Sequence, residues 1–130
     1  MGPGSHGTTM GGNPLAMKIG HTVINTIITD GLLDNVAKLG SYYLEELKTI
    51  ASLHPKTIKE ARGNGFIIGL EMVNKDVCSA MVRSLYSNGL LTILTEQKII
   101  RILPPLIAGK SEIDISLKLI SKSIKEVQNA

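Results

Sequence analysis

The feature that most constrains this chain is a change in the spacing of its apolar residues along its length. Leu15, Ile19, Val23 and Ile27 recur every four residues, with Ala16, Ile24 and Ile28 alongside. Val36, Leu39, Tyr43, Leu47 and Ile50 then continue at helical spacing. Both runs describe helices with one apolar face. The spacing predicts helices over 14–29 and 32–53. Asn13-Pro14 opens the first, because asparagine caps an orphan amide and proline at the first helical position loses no hydrogen bond. Gly31 closes the first, and His54-Pro55 closes the second.

After Pro55 the period shortens. Ile58–Arg62 and Phe66–Val73 are short β-like runs around Gly63-Asn64-Gly65, a turn sequence that makes a hairpin or a bent strand pair plausible. Lys75–Ser87 returns to helical spacing through Val77, Met81, Val82 and Leu85, and Asn88-Gly89 ends it. Leu90–Leu94 and Ile99–Leu103 read as two further strands joined by Thr95-Glu96-Gln97-Lys98, with Pro104-Pro105 stopping the second. A last helix is expected from Ser111, where Ser111-Glu112-Ile113-Asp114 resembles a capping box with aspartate in the place of glutamate. Its stripe is Ile113, Leu117, Ile120, Ile124 and Val127. The order implies an α+β fold: a small, mostly antiparallel sheet covered by helices on one face and preceded by a long helix.

A length of 130 residues fits one domain. The chain is 43% hydrophobic but only 3% aromatic, so its apolar mass is aliphatic, and one face is expected to be covered by another domain or subunit. The net charge of +3 is spread along the chain with no basic block, which argues against nucleic acid. No apolar run approaches the ~18 residues of a membrane span. The single cysteine, Cys78, fits a reducing, cytoplasmic setting and reads as a small buried residue.

The segment with most chemical content is Gly4 to Ala16, where glycines surround Thr8 and Thr9 and lead into a helix. Glycines let backbone amides approach an anion, and two hydroxyls add donors, so the loop is a phosphate-binding candidate. Taken alone it reads also as a connector, as most such loops are, and Met1 to His6 reads also as a non-native leader. It is neither a nucleotide P-loop nor a dinucleotide fingerprint, since no Gly-Lys-Ser/Thr follows and no strand precedes it. Arg101, beside Pro104-Pro105, can make a two-pronged bond to a carboxylate or serve as a surface arginine at a strand end. His6, His21 and His54 lack metal-ligand spacing, and no metal site is expected. Asp30, Asp34 and Glu71 read as caps or solvated charges.

His6-Gly7-Thr8-Thr9-Met10-Gly11-Gly12-Asn13-Pro14-Leu15-Ala16 resembles the signature before the small domain of class III pyridoxal-phosphate-dependent aminotransferases, of the acetylornithine and ornithine kind. Gly31-Leu32-Leu33-Asp34-Asn35, Glu60-Ala61-Arg62-Gly63-Asn64-Gly65 with Gly69-Leu70-Glu71, and Ile100-Arg101-Ile102-Leu103-Pro104-Pro105-Leu106 resemble later segments of that family in the same order. Met10 departs from the pattern, which more often has Phe or Tyr there.

The resemblance implies residues 1–13 as a glycine-rich edge of a large domain and 14–130 as the small carboxy-terminal domain. It implies Thr9, with Thr8 beside it, at the phosphate of pyridoxal 5'-phosphate across a homodimer interface, and Arg101 at a substrate carboxylate. It also implies that the Schiff-base lysine sits in a large domain preceding residue 1, so no catalytic residue is expected in this chain and the isolated chain is expected to be inactive. Two other readings stay open: a non-catalytic small-ligand-binding or regulatory module, and the remnant of a decayed gene.

Overall fold

The computed structural model describes residues 2 and 4–129; positions 1 and 3 of the glycine-rich stretch and the final residue lie outside that set. The chain divides into two compact units, Met1–Leu33 and Asp34–Ala130.

The first unit is a loop followed by helix α1, Pro14–Thr29. Asn13 is the N-cap: its side-chain oxygen accepts the Ala16 N–H at 2.9 Å, and Pro14 occupies the first turn. Gly31, just past the C-cap Asp30, takes φ +64°, the left-handed conformation that ends a helix and favours glycine. A single helix and a loop have no second layer to form a core, and α1 contains no buried residue.

The second unit is α+β. Its elements are α2 (Leu32–Leu53, which begins at the end of the first unit), β1 (Ile58–Asn64), β2 (Ile67–Met72), α3 (Lys75–Ser87), β3 (Ile93–Thr95), β4 (Ile99–Ile102) and α4 (Lys110–Gln128). The four strands form one antiparallel sheet in the order β1-β2-β4-β3. Alternation along the strands gives the sheet two unlike faces. Ile68, Leu70, Met72, Ile100 and Ile102 are buried and join Tyr43 and Leu47 of α2, Met81 and Leu85 of α3, and Ile113, Ile120 and Ile124 of α4 in one core. Cys78 is part of this core, and burial pushes its thiol up from the ordinary value.

Several local expectations shift. The β1–β2 hairpin closes at Gly65-Phe66, not at Gly63-Asn64-Gly65: β1 runs on through Asn64, and it is Gly65 that takes positive φ, +54°. Leu90–Thr92 lie outside β3, which spans only Ile93–Thr95. The last helix starts one residue before Ser111. Gly109 is its N-cap, and the carboxylate of Glu112 accepts the Gly109 N–H at 3.0 Å. Ser111 donates to Glu112 at 2.9 Å, and Asp114, freed from capping, accepts from Lys110 at 2.7 Å and from Tyr42 at 2.8 Å. The better-suited glutamate, one turn in, therefore sets the start.

Two polar bridges tie the helices together inside this unit. Ser116 and Ser123 interrupt the apolar stripe of α4 and are both buried. Ser116 meets the Tyr43 hydroxyl of α2 at 2.6 Å, and Ser123 accepts from Asn88, the C-cap of α3, at 3.2 Å. The buried hydroxyls of Tyr43, Ser116 and Ser123 thus each have a partner, as burial requires.

Candidate functional site

In the first unit, Thr8 and Thr9 are both exposed in the loop ahead of α1. Thr8 is used by the loop itself, its hydroxyl oxygen accepting the Gly11 N–H at 3.2 Å. A Cβ on Gly11 would lie 2.1 Å from the Thr8 methyl, so any other residue there would force the Thr8 side chain to turn. Asn13 closes the same turn by donating to the Met10 carbonyl. Thr9 makes no side-chain hydrogen bond among the described residues, which leaves its hydroxyl available to an external acceptor.

In the second unit, Arg101 lies on β4 between the buried Ile100 and Ile102, so its side chain emerges on the sheet face opposite the core. Directly across the strands stand Gly69 of β2 and Ile93 of β3, and Gly69 in turn faces Arg62 of β1. Arg101 is exposed and forms no ion pair among the described residues. A cleft of about 570 Å³ opens on the other side of the same strand end, lined by Tyr43, Leu90, Ile102, Pro104, Ala108 and Ile113 among others; Arg101 is not in its lining.

The open face also holds a group that spacing alone undervalued. Glu71, expected to be a cap or a solvated charge, is buried on β2 and accepts from Lys59 and Arg62 at 2.8 Å each, with Lys98 at 3.3 Å. These bonds, from Lys59 first, then Arg62 and Lys98, hold its carboxyl at about 2, well below the ordinary 4.5. The register explains the geometry. Ile58 pairs with Met72 and Glu60 with Glu71, so one residue, Lys59, is extra in β1; this β-bulge puts Lys59 within reach of the carboxylate. Arg62 is held from a second side by Glu60 at 2.6 Å. A lone acid in the otherwise apolar run Phe66–Val73 was the available signal, because a carboxylate in a strand core needs partners.

No group of three or more metal-ligating side chains gathers among the described residues, and no helix described is long and apolar enough to cross a membrane.

The fold of this chain recurs in proteins already known. Residues 1–124 match the family model described as aminotransferase class-III. The chain belongs to the class-III aminotransferase family. Among curated class-III relatives, the acetylornithine aminotransferase of Caldanaerobacter subterraneus is 37% identical over 126 residues, covering 97% of this chain and 32% of that protein. The ornithine aminotransferase 2 of Staphylococcus saprophyticus is 42% identical over 115 residues, covering 88% of this chain and 28% of the other. Among solved structures, an ornithine aminotransferase from Plasmodium yoelii superposes with a TM-score of 0.86 at 36% identity, covering 98% of this chain and 34% of that one. This class-III chain thus spans about a third of the length of the relatives it matches.

Proposed function

We propose that this chain serves as the small-domain portion of a pyridoxal-phosphate-dependent aminotransferase that moves an amino group from an acetylornithine-like or ornithine-like donor to 2-oxoglutarate, a reaction suited to arginine biosynthesis in the cytoplasm. The observation that carries this reading is the family match over residues 1–124 together with an exposed Arg101 on the open sheet face that forms no ion pair among the described residues. In this reading residues 1–13 are the edge of a large domain and 14–130 the small domain.

The donor set of the loop fits the phosphate end of the cofactor: a free Thr9 hydroxyl, a Thr8 hydroxyl already ordering the turn, and flexible glycines that expose amides. When bound, pyridoxal phosphate supplies an electron sink for carbanion chemistry. Thr9 would bind the phosphate across a homodimer interface, and Arg101 would orient the substrate by a bidentate bond to its carboxylate. No residue of this chain is assigned a proton-transfer or nucleophilic role; those belong to a large domain.

Mixing tests the assignment. This chain is expected to give no stable covalent adduct with pyridoxal phosphate and no transamination, and to restore activity when combined with a large-domain polypeptide from a relative such as the acetylornithine enzyme. In the combined protein Thr9→Ala is expected to weaken cofactor retention, and Arg101→Gln to lower kcat/KM for the carboxylate substrates by about 10²-fold. A lysine adduct formed by this chain alone would overturn the reading.

A further inference from the structure

The open sheet face carries four cations but offers them unequally. Lys59, Arg62 and Lys98 all turn to one carboxylate, Glu71, and Arg62 is also bound by Glu60. Arg101 alone of the four forms no such pair among the described residues, although it stands in the same cross-strand row as Arg62. Only Gly69 lies between them, and their backbones are about 10 Å apart, two strand spacings. Gly69 has no side chain to fence the two guanidiniums off, and Ile99 crowds the spot so closely that a Cβ there would meet its methyl at 3.3 Å.

Without an acceptor in β2, Arg62 would be held by the exposed Glu60 alone and could lean across Gly69 to share a carboxylate that reached Arg101. We propose that Glu71 is a positioning residue that draws Lys59, Arg62 and Lys98 onto itself, so that Arg101 is the guanidinium of this face left open to a carboxylate ligand. The proposal rests on the reading of Arg101 as the carboxylate anchor and adds what makes that anchor single. Glu71 touches no ligand; it acts by keeping Arg62 occupied. Removing its charge is expected to leave carboxylate affinity intact and to weaken the choice between the two arginines, since only Glu60 then holds Arg62.

The chain has three arginines, Arg62, Arg83 and Arg101, so their side-chain Nε–H signals can be assigned by single substitutions. Titrating the full chain with acetate while following these signals is the test. In the unaltered chain Arg101 is expected to shift while Arg62 and the helix residue Arg83 stay silent. In Glu71→Gln, which leaves Arg62 only the exposed Glu60, Arg62 is expected to begin to respond alongside Arg101, a gain that loss of structure does not produce, and Glu71→Asp, which keeps the charge, is expected to return Arg62 towards silence. Should Glu71→Gln fail to fold, Arg62→Gln carries the test: the acetate affinity at Arg101 is expected to stay within about twofold, the small effect of a committed surface charge. A silent Arg62 in folded Glu71→Gln, or acetate binding weakened severalfold by Arg62→Gln, overturns the proposal while leaving Arg101 as anchor. Silence at Arg101 in the unaltered chain removes the anchor itself and the proposal with it.

Discussion

The hydroxyl of Tyr43 on α2 lies 2.6 Å from that of Ser116 on α4, and Ser116 in turn donates to the Ile113 carbonyl at 2.7 Å. Ser116 spends its proton on the backbone, so Tyr43 is the donor between the two. Ser116→Ala strands a buried phenol and is expected to cost about 1–3 kcal/mol, whereas Tyr43→Phe leaves Ser116 bonded and is expected to cost about 1 kcal/mol or less. Urea unfolding of the two variants checks the ranking, which reverses if Ser116 is the donor.

Tyr43 also sets an alkaline limit. Burial raises its pKa above the ordinary 10.0. A raised folded pKa means this contribution is fully present below about pH 10, the unfolded value, and is lost as pH climbs through the folded value. Phenolate absorbance is expected to show one tyrosine ionising late, together with unfolding; Tyr43→Phe removes that step.

Glu71 sets the acid limit, with the opposite sign. Its carboxyl sits at about 2 in the fold against an ordinary 4.5, so its contribution is present above about pH 4.5 and lost as pH falls towards 2. The unaltered chain is expected to lose stability across that window more steeply than Glu71→Gln. Denaturation midpoints at several acid pH values check it, and parallel slopes would remove Glu71 as the cause.

Two helical glycines are expected to respond oppositely to alanine. Gly40 of α2 is buried against the hairpin turn, where a Cβ would lie 2.5 Å from the Gly65 carbonyl oxygen. Backbone cannot swing aside as a side chain does, so Gly40→Ala is expected to destabilise by about 1–3 kcal/mol despite its better helix propensity. Around Gly20 of α1, by contrast, an alanine methyl would meet nothing within 4 Å, and Gly20→Ala is expected to raise the helicity of α1, worth up to about 1 kcal/mol. Circular dichroism melts of both variants separate the two effects.

Much of the fold was legible because the apolar period changes where the structure changes: α1 and α3 lie within the bounds that spacing and caps predict, and every strand pair is antiparallel. Errors fell where one residue decides the outcome. Gly63-Asn64-Gly65 offers three turn-forming residues, and cross-strand pairing selected the last. At the start of α4, Ser111 looks like a cap, but Glu112 is longer than Asp114 and reaches the amide of Gly109. Arg101 and the threonine loop stood out in the sequence; the Glu71 cluster did not, because it depends on a bulge that shifts register by one residue and leaves no periodic trace.

The β3–β4 turn carries two adjacent residues with left-handed backbone, Glu96 at φ 50° and Gln97 at φ 62°. Neither has the freedom of glycine, and left-handed backbone is populated most readily by glycine and, after it, asparagine. Replacing the pair by Asn-Gly is expected to stabilise the chain by about 1 kcal/mol without moving Lys98. A thermal melt tests this, and a lowered Tm would mean the native side chains compensate for their backbone.

The bulge at Lys59 also governs how the sheet meets other sheets. With the order β1-β2-β4-β3, the exposed rims are β1, bent by an extra residue and studded with Lys59, Glu60 and Arg62, and β3, only three residues long. Neither rim offers the long, flat, uncharged ladder on which a foreign strand could zip. The same irregularity that delivers Lys59 to Glu71 therefore guards against runaway edge-to-edge aggregation.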